Sequence, residues 1–243
     1  MRTYPDDFIN KIILGDCLEV MKDIPNDSID LIVTDPPFGI SYYSNRSKFK
    51  SRREETKIMG DEFVNKKWFT EMFRTLKDGR AIYCFCNWKS FSTFESYIKC
   101  ANFNIKTPLI WDKKNKGSGD LCGDWGDQTE IIIFAVKGRH ILQGNRNGNI
   151  LPISRISTVK KLHPNEKPIE LLSQLINKSS YEEQIVFDPF CGSGSTLQAA
   201  VSLDRNFIGI ELDNKHYQTA CTRIGQIQEI SEIKQPEPEW EDW

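Results

Sequence analysis

The chain has 243 residues, 39% of them hydrophobic and 11% aromatic, which is enough to bury the core of one large α/β domain or of two small ones. Its N-terminus lacks the apolar stretch of a signal peptide, and no apolar run approaches the roughly 18 residues of a membrane span. Seven scattered cysteines favour a reducing compartment over a disulfide framework. These features predict a soluble cytoplasmic protein with no membrane partner.

The net charge of −2 hides an uneven distribution of charged side chains. The last fifteen residues hold six acids and one lysine, so they carry −5 and the remainder of the chain carries +3. Lysine and arginine are concentrated in four polar segments, 45–57, 112–116, 137–148 and 154–161. One such cluster is usually a solvated surface, whereas four clusters in irregular segments favour contacts with a polyanion.

Apolar runs of strand length alternate with amphipathic segments of helix length along the chain. In chain order, the predicted strands occupy seven segments: 11–16, 28–35, 81–86, 102–111, 129–136, 183–190 and 206–213. The predicted helices occupy six: 17–25, 66–76, 89–100, a stretch that begins at Pro168, 195–203 and 215–228. This alternation predicts a mostly parallel sheet with helices on both faces.

The remaining segments lack a regular hydrophobic period. We predict a mobile basic loop at 39–65, because loops of this length in compact domains are usually lids or binding loops. The segment 77–80 is predicted as a turn, and 112–128 and 137–162 as irregular. The domain would span residues 1–228 and be followed by an acidic, disordered tail at 229–243.

The sequence "IVFDPFCGSGSTLQAA" predicts a strand, a tight turn and a helix. Gly192 and Gly194 allow the backbone to approach a ligand where a Cβ atom would collide. Glu211 lies nineteen residues after Gly192, at the end of the next predicted strand, where an acid can accept hydrogen bonds from ribose hydroxyls. A GxG alone could be a structural turn, but the acid in register favours an adenosine-containing ligand.

The acid of the turn itself, Asp188, narrows the class of ligand. NAD and FAD sites prefer GxGxxG, because a pyrophosphate must lie against the helix N-terminus, and the third glycine is absent here. A carboxylate repels a pyrophosphate and attracts an ammonium group. S-adenosylmethionine carries an adenosine, an ammonium and a sulfonium without any phosphate, so it fits this turn better.

The tetrapeptide Asp35-Pro36-Pro37-Phe38 ends a buried strand, and ligands lie beyond the carboxyl ends of parallel strands. The two prolines fix φ, so that the Asp35 carboxylate and the Pro36 carbonyl face one direction. Together they could accept both hydrogens of an exocyclic amine and make its nitrogen a better nucleophile, while a base stacks on Phe38. The alternative is a structural turn with a capping Asp35 and a core Phe38.

The segment "TDPPF" joined to "FDPFCGSGST" resembles the DNA amino-methyltransferases, which act on exocyclic nitrogens of adenine or cytosine. The order of tetrapeptide, middle region, "HPNEKP" and glycine turn is similar to that of the β class. With "LGDCLEVMKDIP" and "GIELD", the resemblance covers roughly residues 10–225. It implies a seven-stranded, Rossmann-like methyltransferase sheet with circularly permuted motif order, and a target-recognition region at about 112–162.

The resemblance also implies roles for the matching residues. The catalytic site would be formed by Asp35, Pro36, Pro37 and Phe38. The methionine side of S-adenosylmethionine would be lined by Asp188, Phe190, Gly192, Gly194 and Ser195, helped by Lys167 and Pro168. Glu211 would hold the ribose. Asp16 and Cys17 would lie near the adenine of the cofactor, with Asp16 accepting from its amino group.

Residues outside these motifs allow two interpretations each. Lys167, at a predicted helix start, could attract the carboxylate of the ligand or could be solvated. Trp111 and Lys113 could flank the target pocket, or they could be a core tryptophan and a solvated lysine. Three histidines and the absence of paired cysteines predict no catalytic metal, and His163 is expected to be a loop residue.

The resemblance implies direct in-line methyl transfer to adenine N6 of double-stranded DNA, after the base has been flipped out of the duplex. No cysteine follows a proline, so the covalent nucleophile of cytosine-C5 enzymes is absent. Cytosine N4 remains an alternative, because the leading Asp is common in adenine enzymes but not universal. An RNA or protein amide methyltransferase and a catalytically silent binding module fit less well.

The same resemblance implies partners for the protein. Double-stranded DNA would be the substrate, dimers are frequent among similar enzymes, and a cognate restriction endonuclease could accompany the chain. The expected location is the cytoplasm of a bacterium, or of a bacterial host if the protein is encoded by a phage.

Overall fold

The computed structural model describes residues 2–37, 64–116, 122–156 and 166–233, with side chains up to residue 225 in the last range. Two residues of the sequence analysis, Phe38 and His163, lie outside these ranges, as do most of the predicted basic loop and the last ten residues of the tail. Within the described ranges, no helix combines the length and apolar character that crossing a membrane requires.

Nine strands and six helices form in this part of the chain. The strands are β1 (Lys11–Leu14), β2 (Ile29–Thr34), β3 (Leu76–Cys86), β4 (Asn104–Ile105), β5 (Leu109–Asp112), β6 (Thr129–Val136), β7 (Ile150–Pro152), β8 (Ile185–Asp188) and β9 (Asn206–Glu211). The helices are α1 (Cys17–Met21), α2 (Lys66–Thr75), α3 (Phe91–Cys100), α4 (Ile169–Ser179), α5 (Ser195–Val201) and α6 (Asn214–Ile233).

The strands join one sheet in the order β1-β9-β8-β2-β3-β6-β5-β7, and β4 also pairs with β6. Among the described strands, β6 alone runs against the others, because its pairings with β3, β4 and β5 are antiparallel. The remaining pairings are parallel. The prediction of a mostly parallel α/β sheet is therefore confirmed.

Helices cover both faces of this sheet, as predicted. Successive side chains of a strand point to opposite faces, and β2 is buried on both. Ile32 packs in a cluster with side chains of α1, α2 and α3, whereas Leu31 and Val33 pack with side chains of α4, α5 and α6. Three helices therefore lie on each face, and the polar chemistry is left to the ends of the strands.

The strand count exceeds the predicted seven for two local reasons. The predicted strand 102–111 is divided into β4 and β5, and Pro108, which has no N–H for a ladder, lies immediately before β5. β7 forms within the segment 137–162, which was predicted to be irregular. It does so because Ile150–Pro152 pairs in parallel with Ile110–Asp112.

Several element boundaries also differ from the predictions: α1 ends at Met21 instead of 25, and larger differences occur at 77–80 and at the end of α6. The segment 77–80, predicted as a turn, belongs to β3. Gly79 has a φ of +73° and its N–H donates to Lys137 O at 2.8 Å, so the segment pairs with the end of β6 instead of reversing the chain. At the C-terminal side, α6 continues to Ile233 instead of ending at 228.

The carboxyl edge of the sheet is the edge at which the parallel strands end. β8 and β2 are neighbours there, and the chain continues from β8 to β9 on one side but from β2 to β3 on the other. A crevice at such a switch in direction is the usual ligand site of an open α/β sheet. Because β6 is antiparallel to β3, its first residues reach this same edge.

Part of the predicted polyanion surface lies at the opposite edge. Lys137 follows the last residue of β6, and its Nζ pairs with Asp27 Oδ1 at 2.6 Å and donates to two backbone carbonyls. The start of the segment 137–148 is therefore a structural contact far from the carboxyl edge. The segment 112–116, which follows β5, does lie at the carboxyl edge.

Gly209 of β9 allows α5 to pack closely on the sheet, because a Cβ there would lie 2.6 Å from Leu197 Cδ1 and 3.1 Å from Cys191 Sγ. We expect Gly209→Ala to lower the free energy of unfolding by about 1–3 kcal/mol through overpacking. The matched control is Gly225→Ala in α6, where a Cβ meets nothing within 4 Å and a gain of about 0.5–1 kcal/mol is expected from helix propensity. Urea unfolding measures both, and equal stabilities would contradict the close packing.

Candidate active site

Asp35 follows β2 at the carboxyl edge and keeps one carboxylate oxygen without a partner. Its Oδ2 forms an ion pair with Lys167 Nζ at 2.8 Å, whereas Oδ1 is buried and has no hydrogen-bond partner among the described residues. Buried polar atoms are nearly always hydrogen-bonded, so an orphan acceptor at a strand end indicates a place for a ligand donor. Burial raises the pKa of the Asp35 carboxyl, and the Lys167 ammonium opposes that rise.

Lys167 lies between two acids rather than in solvent. Its Nζ contacts Glu130 Oε1 at 2.5 Å in addition to Asp35, and the centroid of the Phe85 ring is 4.9 Å away. Burial alone lowers the pKa of Lys167, but the two carboxylates outweigh it and raise the pKa above its ordinary value. The ammonium predicted to help hold the methionine side of the cofactor is therefore paired with Asp35 of the tetrapeptide.

Trp111 and Lys113 were each predicted either to flank the target pocket or to lie outside it, as a core tryptophan and a solvated lysine. The structure gives a different answer for each residue. The Trp111 side chain is buried, with Nε1 donating to Ile153 O at 2.7 Å, so it is a core residue. Lys113 is not a solvated lysine, because its Nζ lies 3.5 Å from Glu130 Oε2 and its side chain is 19% exposed. Lys113, Glu130, Lys167 and Asp35 therefore form a row of alternating charges.

The glycine turn follows β8 and has the left-handed backbone that glycine favours. Gly192 and Gly194 have φ of +53° and +82°. A Cβ on Gly194 would lie 3.1 Å from Ala220 Cβ, so this glycine allows α6 to approach. A Cβ on Gly192 would meet nothing within 4 Å, so this glycine faces open space that a ligand can enter. The Gly192 N–H donates to Glu211 Oε2 at 2.8 Å. This hydrogen bond joins the turn to the carboxylate that is predicted to bind the ribose.

Asp188, the last residue of β8, is buried behind this turn. Burial raises the pKa of its carboxyl to about 7, although a hydrogen bond from Thr196 and one from the Phe190 N–H oppose the rise. Phe190 itself packs edge-on against Trp68 of α2, with ring centroids 4.8 Å apart. The turn is thus supported by a tryptophan that the sequence analysis did not single out.

Asp16 and Cys17 lie at the start of α1, beside the end of β9. Asp16 caps α1, with Oδ1 accepting from Leu18 N at 2.7 Å, and Gly15 N donates to Glu211 O at 2.9 Å. The structure therefore brings Asp16 next to the strand that carries Glu211. Burial raises the pKa of the Cys17 thiol to about 12, so this thiol is neutral near pH 7.

Arg223 of α6 connects the two segments that are predicted to hold the cofactor, and the sequence analysis did not identify it. Its Nη1 donates to Ser195 Oγ at 2.7 Å and its Nη2 to Glu166 Oε1 at 2.6 Å. Arg223 and Glu166 are almost fully buried, which makes this pair a fixed link. It ties the helix after the glycine turn to the segment that carries Lys167 and Pro168.

Asp35 and the glycine turn follow neighbouring strands at the carboxyl edge of the sheet. β2 and β8 are hydrogen-bonded neighbours, with Ile32 opposite Phe187, and neighbouring strands lie about 4.8 Å apart. The charge of Asp35 contributes to the raised pKa of Asp188, as expected for carboxylates close together. Within the described residues, no three His, Cys, Asp or Glu side chains converge as metal ligands.

Comparison with known proteins bears on this site. The sequence model described as "DNA methylase" matches residues 29–222. The chain is 30% identical to the Type II methyltransferase M.HinfI of Haemophilus influenzae over 93% of this chain and 71% of that protein. The M1.HpyAVI–SAM complex superposes with a TM-score of 0.67 and 26% identity, over 88% of this chain and 98% of that one. The cytosine-N4-specific PvuII DNA methyltransferase shares the fold, with a TM-score of 0.68 and 17% identity over 91% of each chain.

The matched region begins at β2 and ends within α6, so it contains both Asp35 and the glycine turn. It covers far more than half of the chain, and the M.HinfI similarity extends across most of both proteins. The resemblance inferred from the motifs is therefore confirmed. The chain belongs to the family of DNA methylases that act on adenine N6 or cytosine N4.

Proposed function

We propose that the protein transfers a methyl group from S-adenosylmethionine to adenine N6 of double-stranded DNA, at a specific sequence and after base flipping. The observation that carries this proposal is the buried Oδ1 of Asp35, which has no hydrogen-bond partner among the described residues and lies beside the glycine turn. An exocyclic amine has the N–H donor that this acceptor lacks. Adenine is preferred over cytosine because the tetrapeptide begins with Asp, as is common in adenine enzymes that the motif resembles.

The residues around Gly192 fit S-adenosylmethionine, which supplies a methyl group made electrophilic by its sulfonium. The open face of Gly192 leaves room for the ligand backbone, and the Asp188 carboxylate attracts an ammonium. Glu211 presents a carboxylate for ribose hydroxyls. The solved M1.HpyAVI complex, which carries this compound, supports the assignment.

Asp35 activates the target amine in this proposal. Oδ1 of Asp35 and the Pro36 carbonyl accept the two amine hydrogens and orient the nitrogen lone pair toward the methyl group. As the new C–N bond forms and the C–S bond breaks, positive charge moves onto the target nitrogen, and the nearby carboxylate stabilises that charge. The methylated nitrogen then loses one proton through Asp35, which regenerates a neutral amine.

DNA would approach the carboxyl edge, since Asp35 and the glycine turn both lie there. Flipping the target base costs a few kcal/mol, and stacking on Phe38 would offset about 1–3 kcal/mol of it. We propose that the basic segment 112–116 contacts phosphates and that the region of about 112–162 reads the sequence. A homodimer and a cognate restriction endonuclease remain predictions, and the similarity to a Type II methyltransferase supports the second.

Asp35→Asn should lower kcat for DNA methylation by about 100-fold or more, because a neutral amide is a weaker acceptor and stabilises less charge. Transfer of a tritiated methyl group from S-adenosylmethionine to DNA measures the rate, and binding of the cofactor should be nearly unchanged. Asp27→Asn at the opposite edge serves as control and should keep full activity. A fully active Asp35→Asn enzyme would refute the catalytic assignment.

The methylated base can be identified directly. DNA methylated by the wild-type enzyme, digested to nucleosides and analysed by mass spectrometry, should contain N6-methyladenine. If N4-methylcytosine is found instead, the assignment of the active site stands, but the target base is cytosine rather than adenine. Absence of any methylated nucleoside, over a varied set of DNA sequences, would favour a binding module.

Asp188→Asn should change the dependence of stability on pH. The pKa of Asp188 is raised from 3.8 to about 7 in the folded chain, so its favourable contribution is complete below pH 4 and is lost as the pH rises through 7. Without ligand, the variant should therefore gain stability over wild type across this window, by up to about 1.4 kcal/mol per pH unit. Urea unfolding at pH 5 and pH 8 measures the difference.

Asp188 should also make the affinity for S-adenosylmethionine depend on pH, but in the opposite direction to its effect on stability. The ammonium prefers the ionised carboxylate, so wild-type affinity should increase as the pH rises toward and past 7, whereas Asp188→Asn should bind weakly without that increase. Calorimetric titration at the same two pH values tests this. Parallel pH profiles for the two proteins would contradict the role of Asp188.

A further inference from the structure

Glu130 is the centre of the row of alternating charges at the carboxyl edge. Its Oε1 lies 2.5 Å from Lys167 Nζ, and its Oε2 lies 3.5 Å from Lys113 Nζ. The Glu130 side chain is only 12% exposed and that of Lys167 only 11%. Both charges are thus largely removed from water. In such a position, a charge that loses its partner is strongly destabilising.

The reversed direction of β6 places Glu130 in this position. Glu130 is the second residue of β6 and pairs with Trp111 of β5. In a parallel strand, a residue so near the start would lie at the edge remote from the ligand. Because β6 is antiparallel to β3, its first residues lie at the same edge of the sheet as the end of β2, which Asp35 follows.

We propose that Glu130 is a positioning residue for methyl transfer, which acts by holding and neutralising Lys167 beside Asp35. This inference rests on the proposed function. Lys167 binds Oδ2 of Asp35 and thereby leaves Oδ1 for the target amine. The Phe85 ring restricts the ammonium on one side, so Glu130 determines how closely Lys167 approaches Asp35.

The pairing of Glu130 with Lys167 affects the reaction because charge moves toward Asp35 during methyl transfer. Methyl transfer moves a positive charge onto the target nitrogen, next to Asp35. Lys167 without a second carboxylate would oppose that movement, because like charges a few ångströms apart in a poorly solvated site repel strongly. With Glu130 in place, Lys167 is neutralised, and the Asp35 carboxylate remains available to stabilise the developing cation.

Glu130 and Lys167 should shift the pKa of Asp35 in opposite directions. The titratable or charged groups that face Asp35 are Cys84 and Cys86 of β3, Glu130 of β6, Asp188 of β8, Lys113 after β5 and Lys167 before α4. The Glu130 charge raises the pKa of Asp35, whereas the Lys167 charge lowers it. An ion pair too far from Asp35 to act on its charge would leave the pH dependence of the reaction unaffected.

The test compares the kinetics of Glu130→Gln, Glu130→Asp and Lys167→Gln. For Glu130→Gln we expect kcat to fall roughly 10- to 100-fold with an unchanged Kd for S-adenosylmethionine. The acid limb of the kcat/KM profile should move to lower pH in Glu130→Gln and to higher pH in Lys167→Gln. Glu130→Asp, which keeps the charge, should recover most of the activity and the wild-type profile.

Glu71→Gln is the matched control, because Glu71 pairs with Arg74 on α2 and is also partly buried. Its kcat and pH profile should equal those of wild type. A normal kcat in Glu130→Gln, or a lowered kcat with an unshifted acid limb, would overturn the proposal. If Glu130→Gln does not fold, Lys167→Gln provides the test, since loss of that cation should move the acid limb to higher pH, and an unmoved limb would refute the contact with Asp35 through which Glu130 is proposed to act.

These outcomes separate this inference from the proposed function. A wild-type enzyme that methylates no DNA would refute the function itself. A wild-type enzyme that methylates adenine while Glu130→Gln behaves like Glu71→Gln would refute only the role of Glu130.

Discussion

The partly buried carboxylate of Asp35 is the constraint on which the carboxyl edge depends. Removing a carboxylate from water is unfavourable unless a cation compensates it, and Lys167 supplies that cation. Lys167 is itself buried and therefore needs Glu130, which in turn pairs with Lys113. Each charge is stabilised by the next, so the position of one acceptor oxygen depends on residues from four separate segments of the chain.

Unfavourable features are concentrated where ligands are expected to bind. Asp35 has one oxygen without a partner in the described part of the chain, and Asp188 is buried with a pKa raised to about 7. Perturbed ionisable groups of this kind gather at functional sites, because the ligand provides the interaction that the folded chain lacks. The surrounding structure holds them in place through satisfied contacts, such as the buried link from Arg223 to Glu166 and Ser195.

Much of the fold was predictable because its signals are local. The buried strand before Asp35 and the turn with Gly192 and Gly194 each lie within a short segment, and the structure places both at the carboxyl edge. Predictions failed where pairing partners decide the outcome. The segment 77–80 became part of β3 through a hydrogen bond to Lys137, and β7 formed only because β5 offered an edge.

The sequence by itself determined the family, the two strand-end motifs and their order, because each depends on neighbours in the chain. Only the tertiary structure decided that Lys167 pairs with Asp35, that Trp111 is a core residue, and that Glu130 belongs to the site. The physical reason is the antiparallel direction of β6. It brings the beginning of a strand to the edge where parallel strands end, and no local pattern in the sequence records that reversal.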